Sequence, residues 1–313
     1  RILMASTIPA LASIALKNHA DALNRPWIPF WIFLGGVLLN VLLNWIMIFG
    51  KLGCPVLGFE GAAWATLIAR TAILVVMIIW LIRASDLQEW IPRRWFRPAK
   101  LTHLKHLLGL GIPASLQMLA EVTAFSVAGL LMGHISADAM AAHQITISLT
   151  GTAFMIPLGF SMALTVRVGE VHGANDHHRL RSVVISGWLV LILIAAINAS
   201  CFIALGHWLG SCFTDSLPVI KLTAGLLTIC AAFQLFDSLQ VGSASMLRGM
   251  HDTRVPAFTG FLSYWIVGIP LGAWLAFTQD IGARGVWWGL AAGLGLACIS
   301  MGTRLWRKST VRE

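Results

Sequence analysis

The chain has 313 residues, 58% of them hydrophobic and only 11% charged, with a formal net charge of +9. So little charge cannot cover the surface of a soluble domain of this length, which leaves a polytopic, all-α integral membrane protein. The five cysteines show no C-x-x-C and no Cys/His ligand spacing, so they read as packing residues rather than a disulfide or metal framework.

In chain order, the apolar spans read as 2–22, 27–49, 60–82, 108–133, 139–166, 183–206, 218–245, 257–278 and 284–304. A stretch of roughly 20 apolar residues crosses a bilayer core, so this pattern predicts eight complete transmembrane helices and one partial helix, the first. The chain opens on Arg1 inside an apolar run and shows no cleavable signal peptide, so its true start is expected upstream. Connections are short except for 83–107, a Pro-, Trp- and Arg-rich stretch that reads as a linker lying on the membrane surface.

Lysines and arginines then set the orientation, because cytoplasmic loops collect them. One alternate set of connections, including the linker and the C-terminal tail, holds 17 basic residues; the opposite set holds three, Lys51, Lys221 and Arg284. The linker and the tail 305–313 are therefore expected on the cytoplasmic side of a bacterial inner membrane. The positive charge is topology, and no nucleic-acid partner is expected.

An internal repeat follows. Gly58-Phe-Glu-Gly61-Ala-Ala-Trp64-Ala65 and Gly282-Ala-Arg-Gly285-Val-Trp-Trp288-Gly289 share the pattern G-x-x-G-x-x-W-[AG], offset by 224 residues. Each opens the last helix of its section, and each is preceded by an Arg- and Pro-bearing turn and one apolar span. Duplication of this kind is a mark of secondary transporters, whose sites lie near the bilayer midplane. Equal repeat units would place about 140 further residues ahead of Arg1.

Two carboxylates fall in mid-span, Glu121 in 108–133 and Asp237 in 218–245. An acid there costs about 2.5–3.5 kcal/mol on insertion scales and marks a functional site by default. A structural carboxylate paired with a helix end or an Arg is the blander alternative. Gln117 lies one turn before Glu121, and Ala124, Phe125 and Ala128 continue that face. Around Asp237, Phe233, Gln234 and Gln240 share its helix, and span 139–166 adds His143, Gln144, Ser148 and Met155. Polar stripes edged with aromatics suit a cavity for a lipophilic cation; hydrogen bonding between helices explains the amides equally well. Arg70 sits inside 60–82, either snorkelling or awaiting a carboxylate. The histidines of 172–178 and of the linker read as solvated loop residues. Neither HExxH, GxSxG nor a Gly-rich P-loop is present, so no enzyme is expected, and active transport would draw on an ion gradient.

These residues have a known counterpart. The chain resembles the MATE (multidrug and toxic compound extrusion) family in its NorM-like branch, from end to end. The stretches that carry the likeness are GIPASLQMLAEVTAFSVAGLLMG, AAHQI (141–145), TVRVGEVHGAND (165–176), FQLFDSLQVGSASMLRGMHDTRVP (233–256) and GARGVWWGL (282–290). The resemblance implies a two-lobe helical transporter of six-helix repeats that exports cationic amphipathic drugs or dyes in exchange for H⁺ or Na⁺, with no cofactor. On that plan residues 1–82 form the end of the N-lobe (part of helix 4, then helices 5 and 6), 83–107 the inter-lobe linker and 108–304 the C-lobe. It also implies a monomer in the lipid bilayer and gives Glu121 and Asp237 the cation-coupling positions, the one place where Na⁺ would bind. The Na⁺-coupled members carry Tyr where this chain has Phe233, which removes an oxygen ligand and leans the coupling ion towards H⁺. Three rival readings stand beside this one: a lipid-linked precursor flippase, which needs a basic cavity; a membrane hydrolase using one of the acids; and an inactive fragment of a transporter.

Overall fold

The computed structural model describes residues 1–84 and 101–310, and among these every regular element is helical. They form α1 (Ile2–Ala5), α2 (Thr7–Ala22), α3 (Trp27–Phe49), α4 (Gly58–Arg83), α5 (Leu101–Ile135), α6 (Ala137–Gly173), α7 (His177–Ser211) and α8 (Leu217–Gly249). A rod from Arg254 to Thr278 follows, made of α9 (Arg254–Phe261), a π-helical stretch Leu262–Gly268, α10 (Ile269–Ala273) and a second π-helical stretch Trp274–Thr278. The last helix is α11 (Ala283–Thr310). Eight of these rods, from α3 onwards, are long and apolar enough to cross a membrane. Their outward faces carry Trp27, Trp31, Leu38, Leu189 and Ile203, all more than half exposed. So much outward apolar surface would drive aggregation in water and matches a lipid environment.

The helices differ from the sequence reading in three places. The first span is broken at Ser6, because Pro9 has no N–H for the Ala5 carbonyl and the Ser6 hydroxyl turns back to donate to Leu3 O at 2.7 Å. The helix expected from 108 begins at Leu101, and the last one runs on to Thr310, so parts of the expected linker and tail are helical. Residues 85–100, the rest of that linker, and 311–313 lie outside the described residues. Third, the rod expected as one regular helix over 257–278 is interrupted twice by π-helix. Pro270 withdraws a donor from its ladder, and such stretches often sit at functional positions.

The chain divides into two compact units, residues 1–98 and 99–313. In the first, α4 packs against α1, α2 and α3, and Arg70 donates from its centre to the Ser6 hydroxyl at 2.8 Å. In the second, α8 packs against α6, α7 and α11, so it is covered on nearly every side. Thr165 on α6 donates to Ser245 O at 3.0 Å, and Trp188 on α7 donates to Ser243 Oγ at 3.1 Å. Pro157 inside α6 frees the Ala153 carbonyl, which accepts from Asn198 Nδ2 on α7 at 3.3 Å. At the end of α11, Asp252 accepts from Arg304 Nε at 2.7 Å and Lys308 Nζ at 2.8 Å, while Arg181 lies 4.9 Å over the Trp306 ring.

The repeated G-x-x-G-x-x-W-[AG] pattern has a physical meaning in each unit taken by itself. Its first glycine adopts a left-handed backbone, φ +54° at Gly58 and +64° at Gly282, turning the chain into the helix that follows. Its second glycine lies against the backbone of the preceding rod. A Cβ on Gly61 would stand 2.6 Å from Met47 O, and one on Gly285 would stand 2.7 Å from Ala276 N. The tryptophans, Trp64 and Trp288, point outward.

Candidate carboxylate cavity

Glu121 lies on α5 and Asp237 on α8, and both face one cavity of about 480 Å³ within the second unit. α6 completes its wall with Met140, His143, Gln144, Ile147, Thr150, Gly151 and Phe154. Those positions recur every three or four residues, so a single face of α6 is presented to the cavity. On α5 the lining face is Glu121, Val122, Phe125, Ser126, Gly129 and Leu130; Phe233 joins Asp237 from α8.

Neither carboxylate has a hydrogen-bond or ion-pair partner among the described residues. The charge of Arg248 acts on Glu121 without a direct contact, and its guanidinium donates to Ser245 Oγ at 2.8 Å. Asp237 and Arg248 are also 11 residues apart on α8, about 16 Å of helical rise. Neither acid is thus held by a direct ion pair among the described residues, although the charge of Arg248 acts on Glu121. Two acids without a direct partner on one cavity could take up a cation or a proton, because a lone carboxylate at membrane depth needs a counter-charge. No cluster of three or more His, Cys, Asp or Glu capable of holding a metal ion occurs among the described residues, so a metal cation here would rest on the two acids and neutral oxygens.

Behind the cavity wall lies an aromatic cluster. Phe125 meets Phe233 edge-on at 6.0 Å between ring centroids, and Trp287 of α11 lies 5.8 Å from Phe233, 6.5 Å from Phe125 and 5.6 Å from His143. Tyr264, in the first π-helical stretch, is 6.5 Å from Phe125. The next residue, Trp265, donates its indole N–H to Ala120 O at 3.1 Å, which holds the rod against α5 beside Glu121.

The MatE family model matches residues 113–274, more than half of the chain, and this segment contains both carboxylates. The chain belongs to the MatE family. It is 34% identical over 314 residues to a probable multidrug resistance protein NorM of Mesorhizobium japonicum, covering 98% of this chain and 67% of that protein. A multidrug resistance protein NorM of Burkholderia vietnamiensis is 36% identical over 289 residues, covering 90% and 61%. The chain thus spans about two thirds of the length of the relatives it matches. In fold it is similar to the Vibrio cholerae MATE transporter VcmN, with a TM-score of 0.88, 19% identity and coverage of 98% and 68%. It is also similar to the eukaryotic MATE transporter AtDTX14, at 0.84, 20%, 98% and 70%.

Within this MatE chain, the sequence-predicted site residues separate into two groups. Glu121, Asp237, Phe125, Phe233 and Gln144 meet at the cavity, together with His143. Gln117, Gln234 and Gln240 do not line it. Gln117 is turned towards α9, where a Cβ on Gly260 would touch its Cγ at 3.3 Å. Gln234 and Gln240 are sealed among the helices around α8, and both amide atoms of Gln234 lack a partner. Ala124 and Ala128 belong to the packed core rather than the cavity face, which lies one residue further round α5, through Phe125, Ser126 and Gly129. Met155 faces outward at 59% exposure, and Ser148 is exposed outside the cavity lining. Thr150, Gly151 and Phe154 were missed. Their signal was the spacing from His143, since Thr150 and Phe154 follow it at i+7 and i+11.

Proposed function

We propose that this chain is the working core of a secondary multidrug exporter that moves cationic, amphipathic compounds outward in exchange for H⁺ or Na⁺. The observation that carries the reading is the pair of carboxylates, Glu121 and Asp237, on one cavity with an aromatic wall. Aromatic faces attract a lipophilic cation through their negative quadrupole, and the carboxylates neutralise its charge. A coupling ion and a drug cation would then compete for the same two acids, which is the requirement for exchange. The relatives named as multidrug resistance proteins support the same reading. A flippase holding pyrophosphate would need basic residues in this position, and the charged side chains lining the cavity are both acidic.

The drive is sufficient. Each charge moved gains about 2.3 kcal/mol per 100 mV of membrane potential, and each proton about 1.36 kcal/mol per pH unit. With Phe233 offering no oxygen, the coupling ion on this reading is H⁺ rather than Na⁺. The chain lies in the inner membrane with its C-terminal end in the cytoplasm on this reading, following the 17-to-3 distribution of basic residues. Ethidium binding to the purified chain, measured by fluorescence across pH and with or without Na⁺, tests the reading. Binding should weaken as pH falls, stay nearly constant on adding Na⁺ at constant ionic strength, and disappear in the doubly neutral Glu121→Gln, Asp237→Asn variant. Ethidium bound equally well by that variant would refute it.

A further inference from the structure

At the end of the second unit that carries the C-terminal part of α11, the start of α7 lies beside it, and three side chains group across the junction. The Arg181 guanidinium lies 4.9 Å over the Trp306 ring. Trp306 in turn is nearly parallel to Trp188, with 18° between the planes and 6.2 Å between the centroids. Trp188 donates its indole N–H to Ser243 Oγ on α8 at 3.1 Å, and a Cβ on Gly302 would stand 3.8 Å from its ring. The Trp188 ring is thereby fixed by the fold, and Trp306, 37% exposed, presents its surface outward. A guanidinium attracted to an indole face keeps N–H donors for a second partner, and its fork fits two oxygens of a phosphate.

The charge at this place is not balanced by the chain. The described acids of this end of the unit are already engaged: Glu170 pairs with Arg167 at 2.7 Å, Asp176 with Arg179 at 3.5 Å, and Asp252 with Arg304 and Lys308. Arg181 and Arg307, both exposed, pair with no acid among the described residues. Arg181 and Trp306 each stand two residues beyond an apolar run, 183–206 and 284–304, which is the level at which Trp and Arg meet lipid headgroups. Deeper along the span, α7 carries Ile185 and Ile192, four and eleven residues after Arg181, and α11 carries Ile299 and Leu296, seven and ten residues before Trp306. All four are exposed. A cation and an indole at headgroup level above a strip of branched apolar side chains is the layout of a phospholipid, phosphate first and acyl chains below.

We infer that Arg181, Trp306 and Trp188, with Arg307 beside them, form a headgroup site for an anionic phospholipid of the leaflet at that end, and that the bound lipid straps α7 to α11. Basic pockets between membrane helices hold anionic headgroups in this way. Charge sets the preference. A zwitterionic lipid brings an ammonium group that the two arginines repel and that no free acid nearby answers, whereas an anionic lipid brings only the phosphate. The site shares no residue with the carboxylate cavity, so it stands or falls independently of the export reading.

Native mass spectrometry of the purified chain, released from micelles doped with phosphatidylglycerol or phosphatidylcholine of the same acyl chains, reads the binding. The parent should retain phosphatidylglycerol in preference to phosphatidylcholine. Arg181→Gln should weaken phosphatidylglycerol about tenfold, the factor given by about 1.4 kcal/mol, near the lower end for a hydrogen bond to a charged group. Trp306→Leu keeps every charge and should weaken it about threefold, the size of an exposed cation–π contact. Phosphatidylcholine should be unmoved by either change. Arg254→Gln removes the same charge from an exposed position at the start of α9, outside the group, and should leave retention as in the parent. Size-exclusion profile and helical circular dichroism establish that each variant is folded. Equal losses in Arg181→Gln and Arg254→Gln, or no preference for phosphatidylglycerol in the parent, would overturn the site and leave a diffuse surface attraction. Displacement of the lipid by excess inorganic phosphate would overturn it as well, by making a soluble anion the occupant.

Discussion

At the scale of single residues, the polar groups of the second unit divide into those whose partners are built into the fold and those left open at the cavity. Asn198 belongs to the first kind. It answers the Ala153 carbonyl that Pro157 sets free, and a buried acceptor left without a partner costs about 1–3 kcal/mol. Asn198→Leu should lower thermal stability by that order, read as an earlier melting transition in detergent, and an unchanged transition would show that the carbonyl finds another donor. Asp252 is of the same kind. Burial pushes its carboxyl up, but hydrogen bonds and charge from Arg304 and Lys308 more than reverse this and hold it below the usual carboxylate range. A carboxyl with a depressed folded value stabilises the fold above its unfolded value of about 3.9, and that contribution is lost as pH falls through the lower folded value. Melting temperature should therefore fall more steeply below about pH 4 in the parent than in Asp252→Asn, and parallel curves would contradict the clasp. Glu121 and Asp237 were legible in the sequence because an acid in mid-span is conspicuous. The glutamines beside them were not separable by type: Gln144 faces the cavity and Gln234 the helix interior, and only the rotation of α6 and α8 decides which.

Among the elements, the Arg254–Thr278 rod and α11 approach at backbone distance. A Cβ on Gly289 would collide with the Gly272 backbone, and one on Gly293 would stand 2.5 Å from Ser263 O. Small residues let membrane helices approach at backbone distance, where dispersion and Cα–H···O contacts replace the hydrophobic effect. Gly289→Ala should therefore destabilise by about 1–3 kcal/mol, the usual cost of overpacking, whereas Gly159→Ala, with nothing within 4 Å of the added carbon, should be neutral or stabilising. Equal melting temperatures for the two variants would show that the rods are not held in register by this seam. The repeated glycine pattern was visible in the sequence, though its cause was not, since a left-handed turn and a backbone contact leave the same letter. Helix existence and order were equally legible from the length of the apolar runs. The π-helical stretches were not, because adding one residue to a turn changes neither the composition nor the apolar length of a rod.

For the whole molecule, export requires a bilayer orientation and a direction of exchange. With the native cysteines replaced, Thr310→Cys should resist an impermeant thiol reagent in intact cells and react once the membrane is opened. Lys51→Cys should react from outside, and the reverse pattern would invert the assigned topology. The direction of exchange depends on the two acids. The central claim is that Glu121 and Asp237 hold the coupling ion and the drug cation in turn, and gradient-driven ethidium uptake into inverted membrane vesicles, in the parent and in Glu121→Gln and Asp237→Asn, tests it most directly. The parent should accumulate ethidium when a pH gradient is imposed, acid inside, and each variant should fall at least a hundredfold while inserting into the membrane at parental levels. Undiminished gradient-driven uptake by both single variants would contradict the claim.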